Sequence, residues 1–505
     1  MSTSRSTPAE PIQLPDLIEA LEGQPVQELR AVEVHGITSD SRTVGKGDVF
    51  VAVRGGEADG HDFVQEAARN GAVAVVTEEP VSVKGPANVV VRDSTRALAE
   101  LAARFFGDPA SKLRIYGITG TNGKTSTAHM FRAICARTGP LRNMGIMGTV
   151  GHGTGARLEA GTHTTPEPVT LHRLLGEMVE QDCNGVVMEV SSHAVRQQRI
   201  WGLDFEIGML TNVTRDHLDY HSSFEDYVDA KREFCFSLTS GRRGKKGGTL
   251  VYSKDNDFSR EIGSVFPGNK ISTSIVGQAD AYADNVEATL RGTRFDLHIG
   301  DAVVSVSMKL LGLFTAANAT LAAAAAHVLG IDADSIKGGL AALDSVPGRF
   351  EALGGAGRPV VVVDYSHTPD SLERTLEFCR GLKPDRLIGV FGCGGDRDRG
   401  KRPLMGAIAQ EKCDVAYVTS DNPRTEDPND IIVDILGGMD RGRKGLIVQV
   451  DRRKAIHDAI AQARSADLVA ICGKGHEDYQ IIGAVRHHFD DREEASAALR
   501  VWSDS

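Results

Sequence analysis

The 505-residue sequence contains no apolar run close to the roughly 20 residues that a membrane-spanning helix needs. It has no CxxC pair and no other zinc-type spacing. Its seven cysteines, Cys135, Cys183, Cys235, Cys379, Cys393, Cys413 and Cys472, are scattered and read as free thiols of a cytoplasmic protein. Positive charge is in deficit, with 57 Lys and Arg against 68 Asp and Glu, a formal net charge of −11. This excludes a general binder of the nucleic-acid backbone, whose affinity comes from clustered Lys and Arg, and an anionic substrate requires local basic pockets. There is no solenoid repeat and no long low-complexity tract. Residues 1–13 are polar, rich in Ser, Pro and Thr, and read as a frayed tail.

The composition that is present, 41% hydrophobic and 25% charged, is that of a globular chain, and its length exceeds one core by a wide margin. About three domains are expected. From 14 to 112, short apolar runs such as 49–53 and 72–77 alternate with Gly-rich turns, predicting a small α/β unit. From 113 to 345, apolar strands at 114–119, 185–190 and 207–211 alternate with helical periodicity, predicting a parallel sheet covered on both faces. Residues 252–308 read as β-rich, and 314–329 as an Ala-rich helix before a break at Pro347-Gly348. From 346 to 505, strands at 360–364, 387–391, 415–419, 446–450 and 468–472 predict a Rossmann-like, doubly wound unit. The fold class is therefore α/β.

The strongest local signal is Gly120-Thr121-Asn122-Gly123-Lys124-Thr125, followed by Ser126, between an apolar strand and a helical run. Glycines let backbone N–H groups close around phosphates, a helix N-terminus adds positive potential, Lys124 reaches terminal phosphates and Thr125 holds Mg²⁺. The usual P-loop has a further glycine five places before Gly123, where this chain has Ile118. The bland reading is a glycine-rich turn with a surface lysine, and the strand and helix on either side weigh against it. A nucleotide site alone leaves kinase, motor, GTPase and ligase open.

Two further strand ends narrow the choice: Met188-Glu189-Val190-Ser191-Ser192-His193 and Thr211-Asn212-Val213-Thr214-Arg215-Asp216-His217-Leu218-Asp219-Tyr220-His221. In a parallel sheet these ends open on the same edge as the P-loop, where ligands bind. A carboxylate and an imidazole there can ligate a divalent metal beside ATP phosphates. A lone Glu or His at a strand end is more often a solvated or capping side chain, but here several coincide on one edge.

These motifs, with Pro347-Gly348-Arg349-Phe350-Glu351, closely resemble the Mur ligases, which build the peptide stem of bacterial cell-wall precursors; folylpolyglutamate synthetases are more distant relatives. The resemblance covers nearly the whole chain, in the order of a uridine-nucleotide domain, an ATPase domain and an amino-acid domain. Gly394-Gly395-Asp396-Arg397-Asp398-Arg399-Gly400-Lys401-Arg402-Pro403, Asp421-Asn422-Pro423-Arg424 and Gly473-Lys474-Gly475-His476-Glu477 are most similar to those of members that add meso-diaminopimelate. The resemblance implies an ADP-forming acid–amino-acid ligase that uses ATP and Mg²⁺. It implies joining of meso-diaminopimelate to the D-Glu γ-carboxylate of UDP-N-acetylmuramoyl-L-alanyl-D-glutamate, in peptidoglycan synthesis, by a cytoplasmic monomer with no nucleic-acid partner.

Carried over position by position, Ser39, Ser41, Gly56, Glu57 and Ala58 would touch the uridine nucleotide, and Thr164, Thr165, Ser191, Gln197 and Arg199 the muramoyl dipeptide. Thr125, Glu189 and His217 match metal-binding positions, and Lys231 matches a lysine that the family carbamylates. Gly120 to Ser126, Asn318, Arg349 and Asp364 would contact ATP, with His367 nearby. Arg397, Asp421, Asn422, Pro423, Arg424, Gly473 and Glu477 would bind diaminopimelate. Thr315 departs from the Asn common in relatives. The rival readings are a superfamily ligase adding lysine or acting on folate, a catalytically dead nucleotide-binding scaffold, and a P-loop kinase or motor.

Overall fold

The computed structural model describes residues 11–503 except 20, 22, 26–28, 56–57, 156–157, 160, 162, 240–246 and 356. Of the expected tail, residues 1–10 lie outside the described residues. Ile12–Gln13, also assigned to the tail, instead form a strand antiparallel to Glu33–Val34.

Three sheets carry the fold. The first has five strands in the order Gly23–Pro25, Ala87–Val91, Ala74–Thr77, Asp48–Val51 and Gly36–Thr38, all parallel except the first. Helix Ser94–Phe105 packs on one face and Val64–Asn70 on the other.

The central sheet has ten strands. A parallel stretch runs through Met144–Gly148, Gly185–Glu189, Arg114–Thr119, Phe205–Leu210, Thr249–Ser253, Lys270–Ser274 and Ala281–Thr289. Successive residues of Arg114–Thr119 point to opposite faces, as a strand buried on both sides requires. Tyr116 and Ile118 face helices Lys124–Cys135 and Leu313–Val328, while Ile115 faces helices Pro168–Glu180 and Phe224–Ser237. The sheet is mixed rather than purely parallel, because Gly292–Ile299 and Ala302–Met308 extend it as antiparallel strands and Gly151–Gly153 folds back on the other edge. The β-rich span also holds a helix, Asp257–Val265, capped by Asn256 and buried through Ile262.

The third sheet runs Glu351–Gly354, Val360–Asp364, Leu468–Cys472, Leu387–Phe391, Val415–Val418 and Leu446–Val448, with only the first strand antiparallel. Helices cover both faces, as a doubly wound unit requires. The hairpin Tyr479–Ile482 with Val485–His488 was not anticipated. The third unit docks directly on the P-loop: Asn122 Nδ2 donates to Asp370 Oδ2 at 2.7 Å, and Arg349 Nη2 to Thr125 Oγ1 at 2.9 Å.

Candidate active site

The strand Arg114–Thr119 ends where its backbone turns into the phosphate-loop motif. Gly120 has φ +141° and Gly123 φ +88°, values that side chains rarely tolerate. A Cβ on Gly120 would lie 1.9 Å from Thr211 Oγ1, and one on Gly123 2.4 Å from Asn318 Oδ1. Ile118 is buried in the strand, so the loop's need for glycine begins at Gly120 and the missing first glycine is no defect. Helix Lys124–Cys135 starts immediately afterwards.

Lys124 is folded over this loop, its Nζ donating to Gly120 O at 3.0 Å and Thr121 O at 2.9 Å. Burial pushes its pKa down, against the attraction of Glu189. Thr125 Oγ1 donates to Glu189 Oε2 at 3.1 Å. Glu189, 1% exposed, also accepts from Thr149 N at 2.9 Å and Thr149 Oγ1 at 3.0 Å. His217 sits in the left-handed region at φ +55°, its Nε2 3.4 Å from Asp216 Oδ2. Burial drives its pKa down to about 3, so the ring is a neutral imidazole at physiological pH. Lys231 Nζ donates to Gly120 O at 2.9 Å and lies 4.3 Å from the centre of the Tyr227 ring. Burial, and then Lys124, hold its pKa well below the ordinary lysine value.

Lys231 lies behind the loop, and a single cavity, which it does not line, joins Lys124, Thr125, Glu189 and His217 to the third unit. It is lined by the loop residues 121–126, Glu189, His217, Asn318, Arg349, Asp364 and His367, as expected, and also by Thr149, Asp216, Tyr365 and Arg374, which sequence reasoning missed. Arg349 stacks 4.6 Å from the Tyr365 ring centre. Asp364 accepts from Phe350 N at 2.8 Å and from the Ser366 hydroxyl, which orients the strand end toward the cavity. Thr315, the departure from the family, commits its hydroxyl to Leu311 O at 2.7 Å, just ahead of its own helix Leu313–Val328. Asp370 lies in the first turn of helix Pro369–Gly381, where an acid favours the helix dipole, so its sequence position alone carries no sign of the contact with Asn122.

Beside Glu189, Thr165 Oγ1 donates to Glu189 O at 2.8 Å and accepts from Ser191 N at 3.0 Å. Thr164 Oγ1 lies 3.1 Å from Thr149 Oγ1. Arg199 donates to Thr165 O at 2.8 Å and to Gln197 Oε1, and pairs with Glu167 at 2.6 Å. The residues expected to touch uridine are elsewhere, on the first sheet. Ser41 donates to Glu66 Oε2 at 2.6 Å, Ser39 and Ala58 are exposed, and Gly56 and Glu57 lie outside the described residues.

On the third unit, Asp421, Asn422, Arg424, Gly473 and Glu477 converge. Asn422 Nδ2 donates to Glu477 Oε2 at 2.8 Å, and a Cβ on Gly473 would meet Asp421 Oδ2 at 2.5 Å. Arg424, at φ +52°, donates Nη1 to Gly395 O at 2.7 Å and is half-buried, not solvated as an isolated turn would leave it. Pro423 carries the turn into it, and its carbonyl approaches Gly395 so closely that a Cβ there would be 1.9 Å away. Arg397 is exposed, with Nη1 3.3 Å from Asp396 O.

Among the described residues no three of His, Cys, Asp and Glu form a ready-made metal cage. Thr125, Glu189 and His217 nonetheless present a hydroxyl, a carboxylate and a neutral imidazole to one cavity. That set suits Mg²⁺, which binds through few protein groups and keeps substrate phosphates and water. Lys231 as an ammonium does not suit it.

Residues 118–326 match the family described as Mur ligase middle domain, 348–475 match Mur ligase, glutamate ligase domain, and 33–106 match Mur ligase family, catalytic domain. The chain is 41% identical over 490 residues to the UDP-N-acetylmuramoyl-L-alanyl-D-glutamate–2,6-diaminopimelate ligase of Geobacter metallireducens, covering 94% of this chain and 95% of that one. A solved structure of a ligase with the same description is 32% identical with a TM-score of 0.68, covering 97% and 99% of the two chains. The fold also matches MurF ligase from Thermotoga maritima in complex with ADP, at 20% identity and a TM-score of 0.59, over 86% and 93%.

Proposed function

We propose the following reaction from the premise that the chain belongs to the Mur ligase family: ATP-dependent addition of meso-diaminopimelate to the D-Glu γ-carboxylate of UDP-N-acetylmuramoyl-L-alanyl-D-glutamate. The observation that carries it is a phosphate-loop cavity whose far wall belongs to the docked third unit. The loop with Glu189 and His217 lies on one side and Arg349, Asp364, Tyr365 and His367 on the other, and Tyr365 Oη lies 3.5 Å from Glu477, at the edge that holds Asp421, Asn422 and Arg424. The identity to diaminopimelate ligases over most of the chain supports the choice of amino acid.

Amide synthesis needs an electrophilic carboxyl, and transfer of the γ-phosphoryl group to the D-Glu carboxylate supplies an acyl phosphate. Lys124, already aimed along the loop that it bonds, would swing onto the phosphoryl oxygens and offset charge during transfer. Mg²⁺, when bound through Thr125, Glu189 and His217, supplies further neutralisation of the phosphates. Thr164, Thr165, Ser191 and Arg199 would hold the dipeptide carboxyl beside Glu189, while Asn318 and Arg349 would frame the nucleotide. The first sheet, through Ser39, Ser41 and the turn at 56–58, would bind the uridine end. Attack by the amine on the acyl phosphate forms the amide and releases phosphate, and a closed cleft favours this over hydrolysis. Among the described residues no helix is long and apolar enough to cross a membrane; we assign the reaction to the cytoplasm, where ATP is supplied.

ADP release from ATP and UDP-N-acetylmuramoyl-L-alanyl-D-glutamate should depend on an amine, with meso-diaminopimelate strongly preferred over L-lysine. Equal use of L-lysine overturns the choice of amino acid. ADP release at full rate without any amine favours a kinase-like enzyme instead.

A further inference from the structure

Lys474 is a fully buried amine for which the proposed reaction has no task. Its three donor positions are all occupied: Asn422 Oδ1 at 2.8 Å, Tyr479 O at 2.8 Å and Asp421 Oδ1 at 3.2 Å. None is left for a ligand, so Lys474 does not bind substrate itself. What it touches are the groups that would. Glu477 Oε2 is 3.7 Å from Nζ and is bridged to it by the Asn422 amide, whose Oδ1 also accepts from Ile481 N at 3.0 Å while its Nδ2 faces Glu477. Turning that amide over would set Nδ2 against two donors and Oδ1 against a carboxylate.

We propose that Lys474 is a positioning residue for the amino-acid substrate, which keeps both Asp421 and Glu477 free to accept hydrogen bonds from a substrate ammonium and fixes which end of Asn422 faces Glu477. The proposal rests on the reading of this edge as the amino-acid site. Two carboxylates confined together cannot both stay ionised without a counter-charge, and one takes up a proton. The other groups facing the pair are Arg424, Arg452, Tyr365 and Tyr479. Arg452 is committed to Asp491 by bonds of 2.8 and 2.6 Å, and Arg424 donates to Gly395 O. Burial would raise the Asp421 pKa, yet Lys474 and then Arg452 hold it below its ordinary value. Glu477 is pushed up by burial and by Asp421, against the pull of Lys474. Removing the lysine therefore protonates this pair at a higher pH, and a protonated carboxyl offers an ammonium little.

The test is Lys474→Met in the full chain, with KM measured for each of the three substrates at several pH values. KM for meso-diaminopimelate should rise at least about tenfold near neutral pH, the equivalent of one pKa unit. The mutant-to-wild-type ratio should shrink as pH rises, while KM for ATP and for the uridine substrate stays within about twofold, inside ordinary mutational scatter. A ratio that does not change with pH, or equal losses for all three substrates, overturns the proposal in favour of a merely structural lysine. If Lys474→Met does not fold, Lys474→Gln keeps a donor to Asn422 without the charge and must show the same pH-dependent ratio. Failure of the wild type to use meso-diaminopimelate overturns the underlying reading instead, a result visible before any variant is made.

Discussion

Lys231 is a buried lysine whose neutral form is favoured by its surroundings, since burial and the Lys124 ammonium both push its pKa well below 10.5. A neutral amine is the form that adds CO2, and the resulting carbamate would bring anionic oxygens of the kind Mg²⁺ prefers. Lys231→Ala should lose turnover by about 10²-fold or more, as loss of a charge-organising group does, and a short-chain carboxylate should restore part of it. Full activity without supplement refutes the role. Arg424 is the matching case on the third unit. Its remaining N–H donors would take the distal carboxylate of diaminopimelate through two parallel bonds, and lysine would leave them without that partner in a half-buried site. Arg424→Ala should lower kcat/KM for diaminopimelate by about 10³-fold or more while leaving KM for ATP nearly unchanged, since sites built around a polar group discriminate that strongly. A loss shared equally among the three substrates counts against it. Single residues were legible in the sequence where a motif fixed their neighbours, as with Lys124, Thr125 and Glu189. Thr149 and Asp370 were not, because their partners Glu189 and Asn122 lie 40 and 248 positions away along the chain.

At the scale of elements, buried strands were the most legible feature, since a short apolar run ending in a polar turn has few alternatives in an α/β chain. The strands Arg114–Thr119, Val360–Asp364, Leu387–Phe391 and Leu468–Cys472 fall where the apolar runs predict them. The amphipathic helix Asp257–Val265 was hidden inside a β-rich span because its two caps, Asn256 at the start and Phe266 at the end, lie only ten residues apart. How helices pack was not legible either. Helix Ala333–Ala341 packs against Lys124–Cys135, the helix that begins at the phosphate loop, through Gly339, where a Cβ would lie 2.4 Å from Ile134 Cα and 2.8 Å from Ile134 N. Alanine favours an isolated helix over glycine by about 1 kcal/mol, whereas overpacking costs about 1–3 kcal/mol. With the backbone that close, packing should win, so Gly339→Ala should lower the urea midpoint and weaken nucleotide binding. A more stable variant means that the two helices separate without strain.

For the whole molecule, the order of three units along the chain could be anticipated from sequence, and so could their closure around the substrates, but not the contacts by which the third closes on the second, because no local pattern records them. Three of them converge near the phosphate loop: Asn122 Nδ2 to Asp370 Oδ2 at 2.7 Å, Thr214 Oγ1 to the same oxygen at 3.5 Å, and Arg349 to Thr125 at 2.9 Å. Asp370 is the joint most easily removed, since its other partner is Arg374 on its own helix at 3.0 Å. Its loss leaves the phosphate loop itself intact. Closure matters because an acyl phosphate reacts with water as well as with an amine, and only a shut cleft favours the amine. In the wild type one ADP should therefore appear for each amide formed. Asp370→Ala should raise that ratio above one, by admitting water to the acyl phosphate, while KM for ATP changes little. Asn122→Ala should raise the ratio too, and the double variant should be no worse in this respect than Asp370→Ala alone, because both remove the same bond. A strict one-to-one ratio in Asp370→Ala, at undiminished turnover, would mean that the cleft stays shut without this contact and that the bond from Arg349 to Thr125 suffices to hold it.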